Sequence, residues 1–162
     1  MKSISLNDLS GTQKRLLEAA EGAMRNAYNP YSHFSVGAAL LTAEGEIITG
    51  SNIENASYSS TICAERAALC RANAEGKRCF KSLAVIASGK DTPTKDFTAP
   101  CGSCRQMIFE ASQISGTDIE IILSNTDKTK IGITSIGELL PYAFGPEDLG
   151  IDLQKWKNPR DF

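Results

Sequence analysis

Three cysteines and one glutamate carry the chemistry most readily read from this chain. Cys63 and Glu65 stand two residues apart, and Cys101 and Cys104 form a C-x-x-C pair further on. Thiolates are soft donors that suit zinc at a non-redox site. Cys70 lies about two helical turns past Cys63, roughly 10 Å away. Cys79 falls beyond that helix, and the single histidine, His33, is outside the cluster. A structural zinc site is closed by four protein ligands, whereas a catalytic one keeps a position for water. Three thiolates with no fourth ligand therefore predict one zinc ion per chain with a position left for water, the catalytic arrangement, while Glu65 in the first turn of its helix could by itself be a plain partner of the helix dipole. Three thiolates leave a zinc site at net charge −1, which weakens the metal as a Lewis acid. Arg66 and Arg105 closely follow members of the pattern and are expected to donate to a ligand sulfur and offset that charge.

Other readings of the same residues exist. A C-x-x-C at a helix start is also the form of a cytosolic redox pair. Zinc ribbons use two such pairs, and the sequence holds one. The five cysteines are an odd number, which argues against a disulfide framework. Cys70 and Cys79 are expected to be buried, inert thiols.

The elements must bring Cys63 and Cys101 together. Leu16, Leu17, Ala20 and Met24 recur near a 3.6-residue period, predicting a helix over about Thr12–Ala27 that ends before Asn29-Pro30. Phe34–Leu41 and Glu46–Ser51 read as a tightly joined antiparallel pair, and Asn52–Ser60 as a polar loop. A second helix is predicted from near Ile62 to Ala74, followed by a strand at Leu83–Ala87. After a loop containing Pro93, a third helix runs over about Cys101–Ser112. Strands at Ile119–Leu123 and Lys130–Thr134 and a short helix at Ile136–Leu140 complete the core. The segment Ser124–Lys128 is too short for a helical crossover, so the last two strands should form a hairpin. The order α-β-β-α-β-α-β-β predicts a three-layer α/β/α sandwich. Its expected five-stranded mixed sheet has the order 2-1-3-4-5, with the last strand antiparallel to its neighbour. The second and third helices then start at the same sheet edge, where open α/β sheets bind ligands. Helix N-termini carry partial positive charge, which lowers thiol pKa and favours the metal-binding form.

Cys63-Ala64-Glu65 with Pro100-Cys101-Gly102-Ser103-Cys104 resembles the zinc deaminase signature. The likeness widens over Tyr31–Leu41, Asn52–Tyr58, Cys63–Leu69, Pro100–Gln106 and Glu138–Leu149. Together these are similar to the small homotetrameric cytidine deaminases, in their three-cysteine subgroup. The resemblance implies that zinc-activated water attacks C4 of a cytosine nucleoside, with Glu65 moving protons from water to N3 and to the leaving amine. It further implies that Phe34 stacks on the base and that Asn52 and Glu54 bind the ribose hydroxyls. The Ala64 backbone would contact the pyrimidine carbonyl, and Ala56 and Tyr58 the 5′ side of the sugar from a neighbouring subunit. Phe144 would reach a neighbour's site, making a homotetramer with shared active sites. The expected activity is deamination of free cytidine and deoxycytidine in pyrimidine salvage. Blasticidin-type deaminases share the three cysteines and the small size, and a non-catalytic zinc-stabilised module is a further alternative.

Composition bounds the partners. Hydrophobic residues make up 41% and charged residues 22%, with a net charge of −2. No basic cluster is denser than Lys155–Lys157, so a small ligand is expected rather than nucleic acid. Met1–Ser10 lacks the apolar run of a signal peptide, and the longest uncharged apolar stretch, Phe34–Ala43, is too short to span a bilayer. A cytoplasmic protein of one domain, 1–162, is expected, with its core at about 12–149 and an extension over 150–162 that holds the only tryptophan.

Overall fold

A computed structural model describes residues 1–158. Ser10 opens helix α1 (Gly11–Met24) with a capping box: its hydroxyl accepts the Gln13 N–H, and the Gln13 side chain accepts the Ser10 N–H. The helix ends three residues earlier than expected, and the chain continues through turns that bond Asn26 to Ala23 and Ala27 to Met24. Strands β2 (Phe34–Thr42) and β3 (Ile47–Ser51) form the predicted antiparallel pair. Helix α2 (Ala64–Ala74) leads to β4 (Phe80–Gly89), and helix α3 (Gly102–Ser115) leads to β5 (Glu120–Ser124). Gly116 stops α3 in the left-handed conformation, at φ 68°. β6 (Ile131–Ser135) turns back antiparallel to β5, as the short connection requires, and runs into the four-residue helix α4 (Ile136–Leu139).

The sheet corrects the sequence reading. It has six strands rather than five, in the order β1-β6-β5-β4-β2-β3. The added strand, β1 (Lys2–Ile4), pairs antiparallel with β6 and covers that edge. An unpaired edge is a template for pairing with other chains, so a short covering strand is a protective feature.

Strict alternation along the central strands builds two cores. Ala38, Leu40, Leu83, Val85, Ile121 and Leu123 face α2 and α3. Ala39, Leu41, Ala84, Ile86 and Ile122 face α1, where Leu16 and Leu17 are fully buried. Each such leucine contributes about 1.5–3 kcal/mol. The three-layer α/β/α sandwich is thus observed. Two glycines let helices lie directly on strands. A Cβ on Gly37 would collide with the Ala20 carbonyl of α1, and one on Gly50 would lie 2.6 Å from the Ala64 carbonyl of α2.

Beyond α4, the C-terminal segment folds back over α3. Pro146–Leu149 and Gln154–Trp156 form single 3-10 turns. Gln154 Nε2 donates to the Gln113 carbonyl at 3.3 Å and Arg78 Nη1 to the Trp156 carbonyl at 3.0 Å. Trp156 there lines an apolar groove with Leu69, Met107 and Ile114.

Candidate active site

Cys63 and Cys101 occupy equivalent places, each the extended residue immediately before a helix, with ψ 156° and 168°. Their carbonyls accept the first helical bonds, from Ala67 at 3.0 Å and Arg105 at 2.9 Å. β3 and β4 therefore deliver two helix N-termini to one corner of the sheet. The Cys63 and Cys101 sulfurs stand 3.9 Å apart, and Cys101 donates to the Cys104 sulfur at 3.5 Å. All three Sγ atoms lie within 4.8 Å of one another. Three sulfurs held at about 2.3 Å by a tetrahedral zinc stand about 3.8 Å apart. The donor set thus fits zinc in both chemistry and spacing. No further His, Cys, Asp or Glu joins the three in this group among the described residues.

Glu65 lies in the first turn of α2 and is 4% exposed. Burial raises its carboxyl above the ordinary value, and the neighbouring Cys63 charge adds to the rise. Such a carboxyl takes up and holds a proton more readily than a solvated one. The Cys63 thiol is drawn down to about 5 by hydrogen bonds from Cys104 and then Cys101, with Arg66 assisting. Cys104 moves the opposite way, since its proton is held on the bond to Cys63 and its site is buried.

The two arginines act as straps. Arg66 Nη2 donates to the Thr61 carbonyl at 2.7 Å, fixing the approach to Cys63. Its Nε is buried without a hydrogen-bond partner of its own among the described residues, and its charge helps ionise the Cys63 sulfur. Arg105 gives Nε to the Pro100 carbonyl at 2.8 Å and Nη1 to the Leu139 carbonyl at 3.0 Å. These two donors hold the loop before Cys101 and the end of α4 rather than a ligand sulfur, contrary to the expectation for Arg105, because its guanidinium is turned to the two carbonyls.

Residues 10–117 match the zinc-binding region of the cytidine and deoxycytidylate deaminases. The chain belongs to that family. The cytidine deaminase of Sporosarcina psychrophila is 45% identical over 136 residues, covering 84% of this chain and 93% of that protein. The cytidine deaminase of Halalkalibacterium halodurans is 44% identical, covering 85% and 97%. The crystal structure of cytidine deaminase from Burkholderia pseudomallei superposes with a TM-score of 0.74 at 42% identity, covering 84% of this chain and all of that one. The likeness in sequence and the three-layer fold agree, and the zinc-binding region spans all three clustered cysteines.

The remaining expected residues fall into two groups. Phe34 opens β2 and is half-buried. Asn52 is buried behind it, donating Nδ2 to the Phe34 carbonyl at 2.9 Å and accepting the Val36 N–H at 2.8 Å. Glu54 Oε2 accepts the N–H groups of Tyr31 at 3.0 Å and Ser32 at 3.2 Å. Tyr58 stands with Glu54, Tyr31 and Ser32 around one pocket, its ring 5.9 Å from that of Tyr31. Ala64 is fully buried at the start of α2, and Ala56 is exposed on the loop. Phe144 lies apart from these, 62% exposed, its carbonyl accepting from Gln106 of α3. Cys70 is exposed, contrary to the buried thiol expected, because it projects from the solvent side of α2; Cys79 is half-buried. The Tyr31 and Ser32 amides and the Thr61 carbonyl were absent from the sequence reading. Backbone groups leave no residue-type signal, and only the Tyr31–Leu41 segment hinted at the first two.

Proposed function

We propose that this protein is a cytidine deaminase that converts free cytidine and deoxycytidine, with water, to uridine or deoxyuridine and ammonia. The observation that carries the reading is the buried Glu65 beside three clustered thiols, in a set that leaves zinc one coordination position. A zinc ion held by Cys63, Cys101 and Cys104 would supply Lewis acidity and acidify water toward neutrality. Glu65, with its raised proton affinity, takes the proton released from water. It passes that proton to N3 of the pyrimidine as C4 gains a hydroxyl, then takes the proton of that hydroxyl and delivers it to the amine, so that the C4–N bond breaks as the C4 carbonyl forms and ammonia leaves. Phe34 offers a ring for stacking on the base. Asn52 keeps one Nδ2 hydrogen and Glu54 keeps Oε1 for the ribose hydroxyls. The Ala64 backbone would meet the pyrimidine carbonyl, Arg66 would steady the Cys63 thiolate, and Arg105 would hold the loop that carries Cys101.

We further infer a homotetramer with shared sites, working in the cytoplasm in pyrimidine salvage. Support comes from Tyr142 and Phe144, which are fully exposed and 62% exposed past α4. Aromatic side chains left in water there gain by being covered. Ala56 and Tyr58, on the exposed loop, would complete a neighbour's site. No helix among the described residues is long and apolar enough to cross a membrane. The deciding experiment is a direct-absorbance assay with cytidine, deoxycytidine, CMP, adenosine and blasticidin S in parallel. Turnover of the first two alone is the expected result. Blasticidin S as the preferred substrate, or no turnover by zinc-replete protein, would overturn the reading.

A further inference from the structure

Ser32 stands between two residues that the preceding reading gives to the nucleoside. Its amide donates to Glu54 Oε2, alongside the amide of Tyr31. Its hydroxyl oxygen accepts the Phe34 N–H at 3.0 Å. The Ser32 side chain is also the foremost influence holding the Glu54 carboxyl below its ordinary value. One serine thus touches the Glu54 carboxylate and the Phe34 backbone together.

The surrounding chain makes this arrangement definite. His33, between the two, adopts φ 53°, a left-handed conformation that few non-glycine residues take. It is held there by its N–H on the Asn29 carbonyl and its own carbonyl under the Lys90 N–H, both at 3.0 Å. The reversal lets the Tyr31 and Ser32 amides meet Glu54 while the next residue enters β2. Asn29 Nδ2 donates to the Ser35 hydroxyl at 3.0 Å. On the far side Asn52 grips the Phe34 carbonyl. Phe34 is therefore pinned at both its amide and its carbonyl, by Ser32 and Asn52. Ordering a loop on binding costs affinity, and a Phe34 backbone fixed beforehand lowers that cost.

We propose that Ser32 is a positioning residue for substrate binding, tying the Glu54 carboxylate to the Phe34 backbone so that ring and carboxylate present one prearranged seat. The inference rests on the roles given above to Phe34 and Glu54. Ring and carboxylate would contact the nucleoside in the ground state and the transition state alike. Loosening them therefore raises KM and spares kcat.

The test is steady-state kinetics on full-length, zinc-replete protein with cytidine. Ser32→Ala is expected to raise KM roughly 3- to 30-fold, the loss attached to one neutral or charge-assisted hydrogen bond, with kcat within about twofold. Ser32→Thr keeps the hydroxyl and should restore KM. In combination with Phe34→Leu, the loss from Ser32→Ala should shrink, because the ring it positions is gone. Unchanged KM in Ser32→Ala, while Phe34→Leu and Glu54→Gln both raise it, would overturn the proposal and leave the roles of those two intact. Unchanged KM in Phe34→Leu and Glu54→Gln would remove the reading beneath, and the proposal with it. Equal defects in the alanine and threonine variants, or losses that multiply fully with Phe34→Leu, would assign Ser32 to turn formation alone. A Ser32→Ala protein that fails to fold also overturns the proposal, which gives an exposed serine no such structural weight.

Discussion

Replacing Gly50 by alanine should damage catalysis through a residue that touches no reacting atom. Gly50 lies in β3 under the first turns of α2. A Cβ there would sit 2.6 Å from the Ala64 carbonyl oxygen and 2.9 Å from the Ala68 Cα, against an ordinary contact of 3.4–4 Å. The obstructing atoms are backbone, so no side chain can swing aside. The whole first turn of α2 must lift by several tenths of an ångström. Overpacking of this kind costs about 1–3 kcal/mol. For a chain of this length that lowers the melting midpoint by roughly 2–12 °C. The site pays separately. α2 carries Cys63 at its cap and Glu65 in the turn that moves, whereas Cys101 and Cys104 ride on α3, which Gly50 does not touch. A 1 Å misplacement in a catalytic constellation costs on the order of 100-fold. The smaller displacement here should therefore lower kcat about 3- to 30-fold, with zinc retained. The assay pairs calorimetric melting and metal analysis with kcat at saturating cytidine, measured well below the variant's midpoint. A Gly50→Ala protein with wild-type midpoint and wild-type kcat would refute the argument that close helix–strand approach sets the site's register. Lost stability with intact kcat would refute its catalytic half.

Glu65→Gln should keep the fold and the metal but lose activity by at least the roughly 10²–10⁴-fold that general acid–base catalysis supplies; substantial turnover by purified, metal-replete Glu65→Gln protein would remove its shuttle role. Alanine at Cys63, Cys101 or Cys104 should lower zinc below one ion per chain, whereas Cys70→Ala and Cys79→Ser should leave metal content unchanged, as plasma emission analysis would record. Mixing an inactive Glu65→Gln chain with a Phe144→Ala chain should recover activity in mixed tetramers that place an intact Glu65 beside an intact Phe144. No recovery despite subunit exchange seen by mass spectrometry would count against shared sites, and a monomer by light scattering would exclude them.

The metal corner was legible in the sequence because each of its parts is local. Cys63 with Glu65 and Cys101 with Cys104 each sit within one helix start, and α/β winding brings such starts to one edge. The β5–β6 hairpin was legible from connection length alone. β1 was not. Lys2–Ile4 carries no alternating pattern long enough to stand out, and its strand character comes entirely from the ladder with β6. The ends of α1 and α3 were misplaced for a related reason. α1 stops at Met24 before any proline obliges it to, and α3 runs to Ser115 because Gly116 takes the left-handed cap. The exposure of Cys70 depends on which side of α2 meets the sheet, and residue type alone does not tell that. The network around Ser32 was hidden most completely, since its partners are amides and carbonyls fixed by the left-handed turn at His33.

Trp156 is the only tryptophan in the chain, and its placement makes intrinsic emission a gauge of the C-terminal segment. The indole is 41% exposed, bordering the groove between Leu69, Met107 and Ile114, and its carbonyl rests on Arg78. Its fluorescence therefore follows the docking of a segment that lies outside both sheet cores. Peripheral segments of this kind open at lower free energy than core strands. A red shift in urea would then precede the loss of far-ultraviolet ellipticity. A denaturation curve read from fluorescence alone would report the undocking of about a dozen residues as though it were the unfolding of the domain.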